Sequence, residues 1–478
     1  MHPPEPLPLC CDLDGTLIAG NSLDQSCLQL FLTQPRLCLR LLPALRHGQD
    51  QLWARLAEHR RLPNAQLLPY RPAIVEFLRQ QHAQRPLILV TGAHHELAQA
   101  ISQHLGLFAA AYGSTPGTHL VGQAKARFLS ETFPAGFDYL GDSPADRPVW
   151  QAARQPLAVL HDQRTRSLFQ RLFPQGQIVL SLSSWFPGAL LRAMRPLQWT
   201  KNFLVFAPLL LAHHWNRPDE LLRAALAALA FSLAGSSVYL FNDLNDIEAD
   251  RVHPRKRRRP LASGLLPLRA GVVFAPVLLL LAVALAATLS PKLALLLLLY
   301  TTASGAYSVS LKQVAVLDVI LLALFYTARL FAGSLATSIP LSFWTLIFSV
   351  FLFFSLALAK RFAETRRLLD QGVEQASRRG YLAADHQVLL SLGSSAGVLS
   401  VLILGLYINT PDIRGLYRSP EILWLISPAL LGWISHLWLA ASRGHLEEDP
   451  VVFALRDTGS RLVAAFVLAI FFAAVYLG

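Results

Sequence analysis

Residues Asn242–Gly264 read NDLNDIEADRVHPRKRRRPLASG, four acids beside six basic residues, set between two long apolar runs. A solvated loop would explain the charge but not the spacing. Asn242, Asp246 and Asp250 recur at i, i+4 and i+8, which puts them on one face of a helix leaving the apolar run, with Asp243 flanking them. Amide and carboxylate oxygens on one face suit Mg²⁺, which takes one or two carboxylates together with substrate phosphates. Ionisable groups at the end of a span call for a functional reading. The basic run divides into a part that orients the chain, Arg255 to Arg258, and a candidate ligand, Arg259.

Outward from this stretch, the chain of 478 residues is 53% hydrophobic and 15% charged, and the two classes are unevenly spread. Apolar runs long enough to cross a bilayer as helices recur from about residue 200 onward, and the first 185 residues have none. The spacing predicts nine spans, near 200–216, 221–243, 267–289, 292–310, 314–336, 341–359, 387–409, 421–441 and 460–477. Twenty Lys and Arg fall in the connections on one side and five on the other. That bias predicts a cytoplasmic N-terminal domain and a C-terminus outside. Most of the net charge of +12 belongs to the membrane half, where it fits orientation and anionic ligands rather than nucleic acid. Cys10, Cys11, Cys27 and Cys38 all precede the first span and suit a reduced compartment. MHPPEPLPLC has neither the basic start nor the apolar core of a signal peptide.

The first half alternates strand-like and helical stretches, which implies a parallel sheet with its ligand at the carboxyl ends of the strands. PLCCDLDGTL places Asp12 and Asp14 at the end of one strand, and RPLILVTGA places Thr91 at the end of another. KARFL supplies Lys125, and FDYLGDSPAD supplies Asp142 and Asp146. One carboxylate to attack phosphorus, one to move a proton, a hydroxyl and an ammonium for the phosphate, and further carboxylates for Mg²⁺ make a phosphoryl-transfer set. These four motifs, in this order over residues 7–160, resemble the haloacid dehalogenase superfamily of phosphohydrolases. The resemblance implies Asp12 as nucleophile, Asp14 as general acid/base, and Thr91 and Lys125 as phosphate ligands. It implies Mg²⁺ held by Asp12, the carbonyl of Asp14, and Asp142 with Asp146 in support. Residues 17–84 would form a helical cap, with LCLRLLPALRHG as an amphipathic helix in it or against the membrane surface.

In the second half, NDxxDxxxD at the cytoplasmic end of a span resembles the UbiA-type intramembrane prenyltransferase superfamily. That resemblance implies an all-α domain of about nine transmembrane helices and Mg²⁺ on a diphosphate, held by Asn242, Asp243, Asp246 and Asp250, with Asp246 catalytic. The expected architecture is multidomain. An α/β Rossmann-like haloacid dehalogenase fold with its cap occupies residues 1–185, and the polytopic membrane domain occupies residues 186–478.

One departure bears on the substrate. Members acting on aromatic acceptors carry a second acidic motif, DxxxD, whereas Asp318 is the single acid between residues 300 and 340. Tyr307, Lys312 and Arg329 stand in that region, followed by Lys360 and Arg361. A mid-span arginine such as Arg329 is costly unless it is paired or faces a polar cavity. RPLQWTKNFLVFAPL, YSVSLK, ARLFAG and AKRFAE, with the opening stretch, resemble the polyprenyl-phosphate phosphoribosyltransferases over 195 to about 460. Such a reaction handles three phosphate groups, and Lys201, Arg259, Tyr307, Lys312, Arg329, Lys360 and Arg361 are the candidates to hold them. The resemblance implies phosphoribosyl diphosphate and a polyprenyl (decaprenyl) phosphate as partners in a bacterial plasma membrane. The attached phosphohydrolase would then remove the 5-phosphate, giving a precursor of arabinofuranosyl donors. Self-association into a homo-oligomer stays open. Two other readings stand beside this one. The first is a quinone or haem prenyltransferase fused to a phosphatase of separate substrate. The second is a lipid-binding or transport protein with a regulatory phosphatase.

Overall fold

In the computed structural model, residues 6–37, 49–59, 61–182, 185–372, 374, 379–446 and 450–477 are described. The stretch LCLRLLPALRHG lies outside them except for Leu37, as does Cys38. The chain packs as two compact units. One comprises Met1–Arg195 with Tyr239–Pro276, and the other Pro196–Val238 with Val277–Gly478.

The first unit contains a six-stranded sheet in the order β3-β2-β1-β4-β5-β6, every pairing parallel. The strands are β1 Leu9–Cys11, β2 Leu87–His94, β3 Ala110–Ser114, β4 Asp138–Gly141, β5 Pro156–Leu160 and β6 Gln177–Ser181. Successive strand residues point to opposite faces, so each strand feeds two cores. Leu9, Cys11, Leu87, Leu89, Leu140, Leu157 and Val159 pack on one face. Cys10, Ile88, Val90, Tyr139, Ala158 and Leu160 pack on the other. Both faces are buried, which is why the strands read as nearly continuous apolar runs. Residues 17–84 contribute the helices Ser22–Thr33, Gln49–Glu58 and Pro72–His82. The last two send Leu52, Trp53, Leu56, Ile74 and Leu78 into the core that contains Leu9 and Leu87. Cys10 and Cys11 are buried free thiols in the sheet.

Eight helices among the described residues are long and apolar enough to cross a membrane. They are Pro218–Asn245, Leu268–Leu289, Pro291–Val309, Leu317–Thr337, Phe343–Asp370, Ala383–Ile408, Pro420–Ser442 and Thr458–Tyr476. Their outer faces carry exposed Leu280, Leu299, Leu402 and Leu462, as a lipid-facing surface requires.

The segment expected as a span at 200–216 is not one continuous α-helix. The chain there forms a 3₁₀ helix, Pro196–Phe206, and a short α-helix, Ala207–Leu211. Its side chains explain the departure. Trp199 donates from Nε1 to Ser236 Oγ at 3.1 Å and Asn202 donates to Ser232 Oγ at 2.8 Å, while Leu209 packs with Ala224. Rising residue numbers in this segment meet falling ones in Pro218–Asn245, so the two run antiparallel. At roughly 2 Å rise per residue, a 3₁₀ helix covers with eleven residues what an α-helix needs fourteen or fifteen to cover.

Candidate functional sites

The carboxyl ends of β1, β2 and β4, neighbours in the sheet, bring the phosphoryl-transfer residues together. Asp12 follows β1, and its N–H donates to the Leu140 carbonyl. Lys125, on the helix Gly122–Thr132, reaches Asp12 Oδ1 at 2.8 Å and Asp146 Oδ1 at 3.8 Å. Tyr139 donates its hydroxyl to Asp146 Oδ1 at 2.7 Å and accepts from Lys125 Nζ at 3.1 Å. Asp146 Oδ2 accepts from the backbone N–H groups of Asp142 and Ser143, both at 3.1 Å. Asp14 accepts from Ser22 N at 2.7 Å and Ser22 Oγ at 3.0 Å. Gly15 sits at φ +75°, and a Cβ there would lie 2.1 Å from Asp142 Oδ2, so only glycine lets the turn approach that carboxylate.

Burial pushes the Asp12 carboxyl up to about 8, against the pull of Lys125 and with the push of Asp146 and Asp142. Burial likewise lifts Asp14 to about 6, against the two Ser22 hydrogen bonds. Asp142 is raised by burial although His161, at 3.3 Å, opposes the shift. Burial alone would lower Lys125, but Asp12 and Asp146 outweigh it and raise the ammonium. Among the described residues one acid group, Asp12, Asp142 and Asp146, offers oxygens all within 4.8 Å of one another. Three hard oxygens that close fit Mg²⁺. Thr91 is fully buried with its hydroxyl accepting from Ala93 N, and it is Gly92 that faces the adjoining cavity of about 590 Å³. Tyr139, Ser22 and His161 were not singled out from the sequence, because apolar strands and ordinary turns hide such partners.

Through Asn242–Asp250 the i→i+4 backbone bonds that a shared face needs continue, from Asp246 N to the Asn242 carbonyl at 2.9 Å and from Asp250 N to the Asp246 carbonyl at 2.8 Å, while the acids differ in burial. The long helix ends at Asn245, and Asp246, at φ −98° and ψ 13°, caps a short helix, Ile247–Val252. Asn242 and Asp246 are half-buried, whereas Asp243 and Asp250, seven residues apart, are 2% and 1% exposed. Arg259 Nη1 joins this buried pair, at 3.1 Å from Asp243 Oδ1 and 2.6 Å from Asp250 Oδ2. Arg195 also donates to Asp243 Oδ1. Arg255 to Arg258 are exposed while Arg259 is half-buried.

In the second unit the single acid of 300–340 is consumed by a cation. Asp318 is fully buried, with Arg361 Nε 2.6 Å from its Oδ2 and the Tyr381 hydroxyl donating to its Oδ1. Arg361 also donates to Glu364 at 2.6 Å and to the Tyr307 hydroxyl at 3.1 Å. Arg329 donates to Asn202 Oδ1 at 2.9 Å, Tyr300 Oη at 3.0 Å and the Phe325 carbonyl. Lys201 Nζ and the Arg329 guanidinium both lie over the Tyr326 ring, at 5.5 and 5.6 Å. Phe325 touches Tyr300 and Tyr307 edge-on and so connects the Arg329 and Arg361 clusters. Lys312 and Lys360 are half-buried. Asn202, Tyr300 and Arg379, which lies 3.4 Å from Glu364, are further members that sequence spacing did not mark.

A family model described as UbiA prenyltransferase family matches residues 202–453, and one described as haloacid dehalogenase-like hydrolase matches residues 9–151. A Sinorhizobium fredii protein, y4nM, is 35% identical over 97% of this chain and 90% of its own length. The decaprenyl-phosphate phosphoribosyltransferase of Mycobacterium tuberculosis is 34% identical over 61% of this chain and 95% of its own. The nodulation protein NoeC of Azorhizobium caulinodans is 34% identical over 58% of this chain and 90% of its own.

Proposed function

The chain belongs to the UbiA prenyltransferase family, with a haloacid dehalogenase-like hydrolase domain ahead of the membrane helices, and from that premise we propose a two-step enzyme. The membrane half transfers 5-phosphoribose from phosphoribosyl diphosphate to a polyprenyl phosphate such as decaprenyl phosphate. The N-terminal half then removes the 5-phosphate to leave polyprenyl-phosphoryl ribose. The observation that carries the choice of donor is the fate of Asp318. Held by Arg361 and Tyr381, Asp318 is already neutralised and is not free to serve as half of a second acidic motif. A substrate pair with three phosphate groups suits that cationic interior better than an aromatic acceptor does.

In the transfer, the bond from ribose C1 to the leaving diphosphate breaks as a lipid phosphate oxygen bonds to C1 from the opposite face. The lipid phosphate is already an anion, so no general base is needed. Lys201, Tyr307, Lys312, Arg329 and Lys360 hold phosphate oxygens, Arg361, buried on Asp318 and Glu364, positions the Tyr307 hydroxyl among them, and Arg259 meets the diphosphate at the acidic stretch. Charge fixed before the reaction begins supplies most of the rate. Asn242, Asp243, Asp246 and Asp250 in the one half, and Asp12, Asp142, Asp146 and the Asp14 carbonyl in the other, would hold Mg²⁺, which would supply positive charge to leaving and transferring phosphates.

In the hydrolysis, an Asp12 oxygen attacks phosphorus, and the ester bond to the ribose 5-oxygen breaks. Asp14 gives that oxygen its proton, and its lifted pKa suits the donation near neutral pH. Water then cleaves the aspartyl phosphate and returns a proton to Asp14, releasing inorganic phosphate. Lys125 holds the phosphoryl group, and Thr91, its hydroxyl accepting from Ala93 N, fixes the turn that presents Gly92 to it. The Lys and Arg bias of the connections supports a plasma-membrane protein with its N-terminal domain in the cytoplasm.

Membranes containing the chain, given ribose-labelled phosphoribosyl diphosphate and decaprenyl phosphate, are expected to move label into lipid. Prenylation of an aromatic acid with no label in lipid would overturn this reading.

A further inference from the structure

The loop between the helices Pro218–Asn245 and Leu268–Leu289 belongs to the same compact unit as the hydrolase sheet, and it is seated on the turn that follows Asp12 and Asp14. Gly264 carries the closest approach. It has φ +74°, and a Cβ there would lie 1.9 Å from the Ala19 carbonyl oxygen. Leu261, Ala262 and Leu266 around it are buried. Arg251 fastens the loop, donating to Gln25 Oε1 at 2.7 Å, the Leu67 carbonyl at 3.0 Å and the Ala262 carbonyl at 3.2 Å.

Seated in this way, the loop and the first turn of Leu268–Leu289 form one wall of the cavity that contains Asp12, Asp14 and Lys125, presenting Leu265 and Arg269 to it. Arg269 Nε is 3.0 Å from Asp24 Oδ2, and its side chain is 72% exposed. Arg71 lines the same cavity, with Nε donating to the Gly15 carbonyl at 3.2 Å. Neither arginine has a further polar contact from its terminal nitrogens among the described residues. Phe186 and Leu265, both cavity-lining, remain 40% and 43% exposed.

Lys125, the backbone at Gly92 and the carboxylate set already account for one phosphoryl group. Two more guanidinium groups on the wall exceed what a phosphate ester of a neutral sugar needs. Arginine is the residue suited to a second phosphate, because its planar fork donates two hydrogen bonds to paired oxygens. Exposed apolar side chains beside these cations are out of place in a pocket for a small water-soluble metabolite.

We infer that this loop is the recognition wall of the hydrolase pocket. Arg269, with Arg71, binds a second anionic group on the phosphomonoester substrate, and Leu265 and Phe186 meet its apolar part. The substrate class is a phosphomonoester whose other end is a lipid phosphodiester. The inference rests on the proposed removal of the 5-phosphate at the Asp12 centre and assigns the residues that recognise the rest of that substrate. The loop also carries the acidic stretch of the transferase, so one segment serves both activities.

The test uses the full chain in detergent with Mg²⁺ and two soluble probes, ribose 5-phosphate and 5-phosphoribosyl methyl phosphate, a diester at C1. Phosphate release is expected to favour the diester-bearing probe by about tenfold or more in kcat/KM. In Arg269→Gln that preference ratio is expected to collapse toward one, chiefly through KM, and Arg269→Lys is expected to recover part of it. Replacing the methyl group by geranyl is expected to lower KM further in the wild type but not in Leu265→Glu. Because the readout is a ratio between probes, a general loss of folding or catalysis does not imitate it. Hydrolysis of both probes without preference, or an Arg269→Gln ratio equal to that of the wild type, overturns the recognition wall and leaves the phosphohydrolase reading standing. Release of phosphate from neither probe overturns both.

Discussion

Lys125 Nζ lies 2.8 Å from Asp12 Oδ1, with the two side chains 4% and 12% exposed, so the ammonium is the counter-charge of the attacking carboxylate. It also faces Asp146 at 3.8 Å, and it pulls the Asp12 carboxyl down against the larger upward push of burial. Asp12→Asn keeps the shape and removes the nucleophile. Phosphate release by the full chain is expected to fall about a thousandfold or more, while ribose label still enters lipid and the 5-phosphorylated lipid accumulates. Lys125→Met is expected to be worse for folding, by about 3–5 kcal/mol, because it leaves buried acids uncompensated. Amide hydrogen exchange of the β1 segment measures that loss.

Protonation of the two motif aspartates sets a pH dependence of definite sign. Asp14 in the folded chain is raised to about 6 from an ordinary 3.8, and Asp12 to about 8. A carboxyl raised on folding adds stability that is complete below its unfolded value and is lost as pH rises through its folded value. With a chelator present, protection of the turn after β1 is therefore expected to decline between pH 4 and pH 8, once intrinsic exchange rates are corrected. Mg²⁺ favours the ionised carboxylates and is expected to reverse the decline at the alkaline end. In turnover the cation is expected to move the acidic limb of the kcat/KM profile to lower pH. A profile indifferent to Mg²⁺ concentration would remove Asp12 from the metal's surroundings.

Much of this arrangement was legible in the sequence, for physical reasons. Strands buried on both faces announce themselves as apolar runs, and aspartates at their ends must gather at one edge of a parallel sheet. Eight spans were legible because length and hydropathy suffice for a bilayer. The 3₁₀ segment at Pro196–Phe206 was not, since composition does not report how tightly a backbone is wound. The pairing of Asp243 with Asp250 was hidden for a related reason. A spacing of four, four drew attention to Asn242, Asp246 and Asp250, while a spacing of seven places Asp243 and Asp250 on the inward side, where Arg259 meets both. The seat of Gly264 against Ala19 joins residues too distant in sequence for any pattern to connect.

The basic run offers a contrast within five residues. Arg257 is exposed, and Arg259 is half-buried on Asp243 and Asp250. Arg257→Gln is expected to leave label transfer to lipid within about twofold of the wild type, as a solvated charge should. Arg259→Gln is expected to lower transfer at least about tenfold by exposing two buried carboxylates to each other and removing a charge that meets the diphosphate. Equal effects at the two positions would make the whole run topological.

Inside the helices, Asp318 and Arg361 form a buried pair at 2.6 Å, with the tyrosines Tyr307 and Tyr381 on its two ends. Arg361→Met leaves a carboxylate with its principal partner gone, and the thermal stability of the detergent-solubilised chain is expected to drop in line with about 3–5 kcal/mol. Asp318→Asn added to it is expected to recover most of that stability, since neither charge remains. Transfer is expected to stay low in the double variant if Arg361 also positions the Tyr307 hydroxyl at a phosphate. Recovery of transfer along with stability would assign the pair a structural role alone.

Gly264 is the position where a single methyl group reports on the loop. Its φ of +74° costs a non-glycine residue about 1–2 kcal/mol, and the added carbon would meet the Ala19 carbonyl at 1.9 Å, with backbone on both sides and nothing flexible to yield. Gly264→Ala is therefore expected to lift the loop from the turn. Exchange should rise together in the segments around 17–22 and 261–269, and the Arg251 bonds to Gln25 and Leu67 should open with them. Gly372, also at positive φ but with no atom within 4 Å of an added Cβ, serves as the comparison. Gly372→Ala bears the same backbone strain and is expected to leave both segments as protected as in the wild type. If the two variants change exchange alike, backbone strain accounts for the effect and the contact with Ala19 does not hold the loop in place.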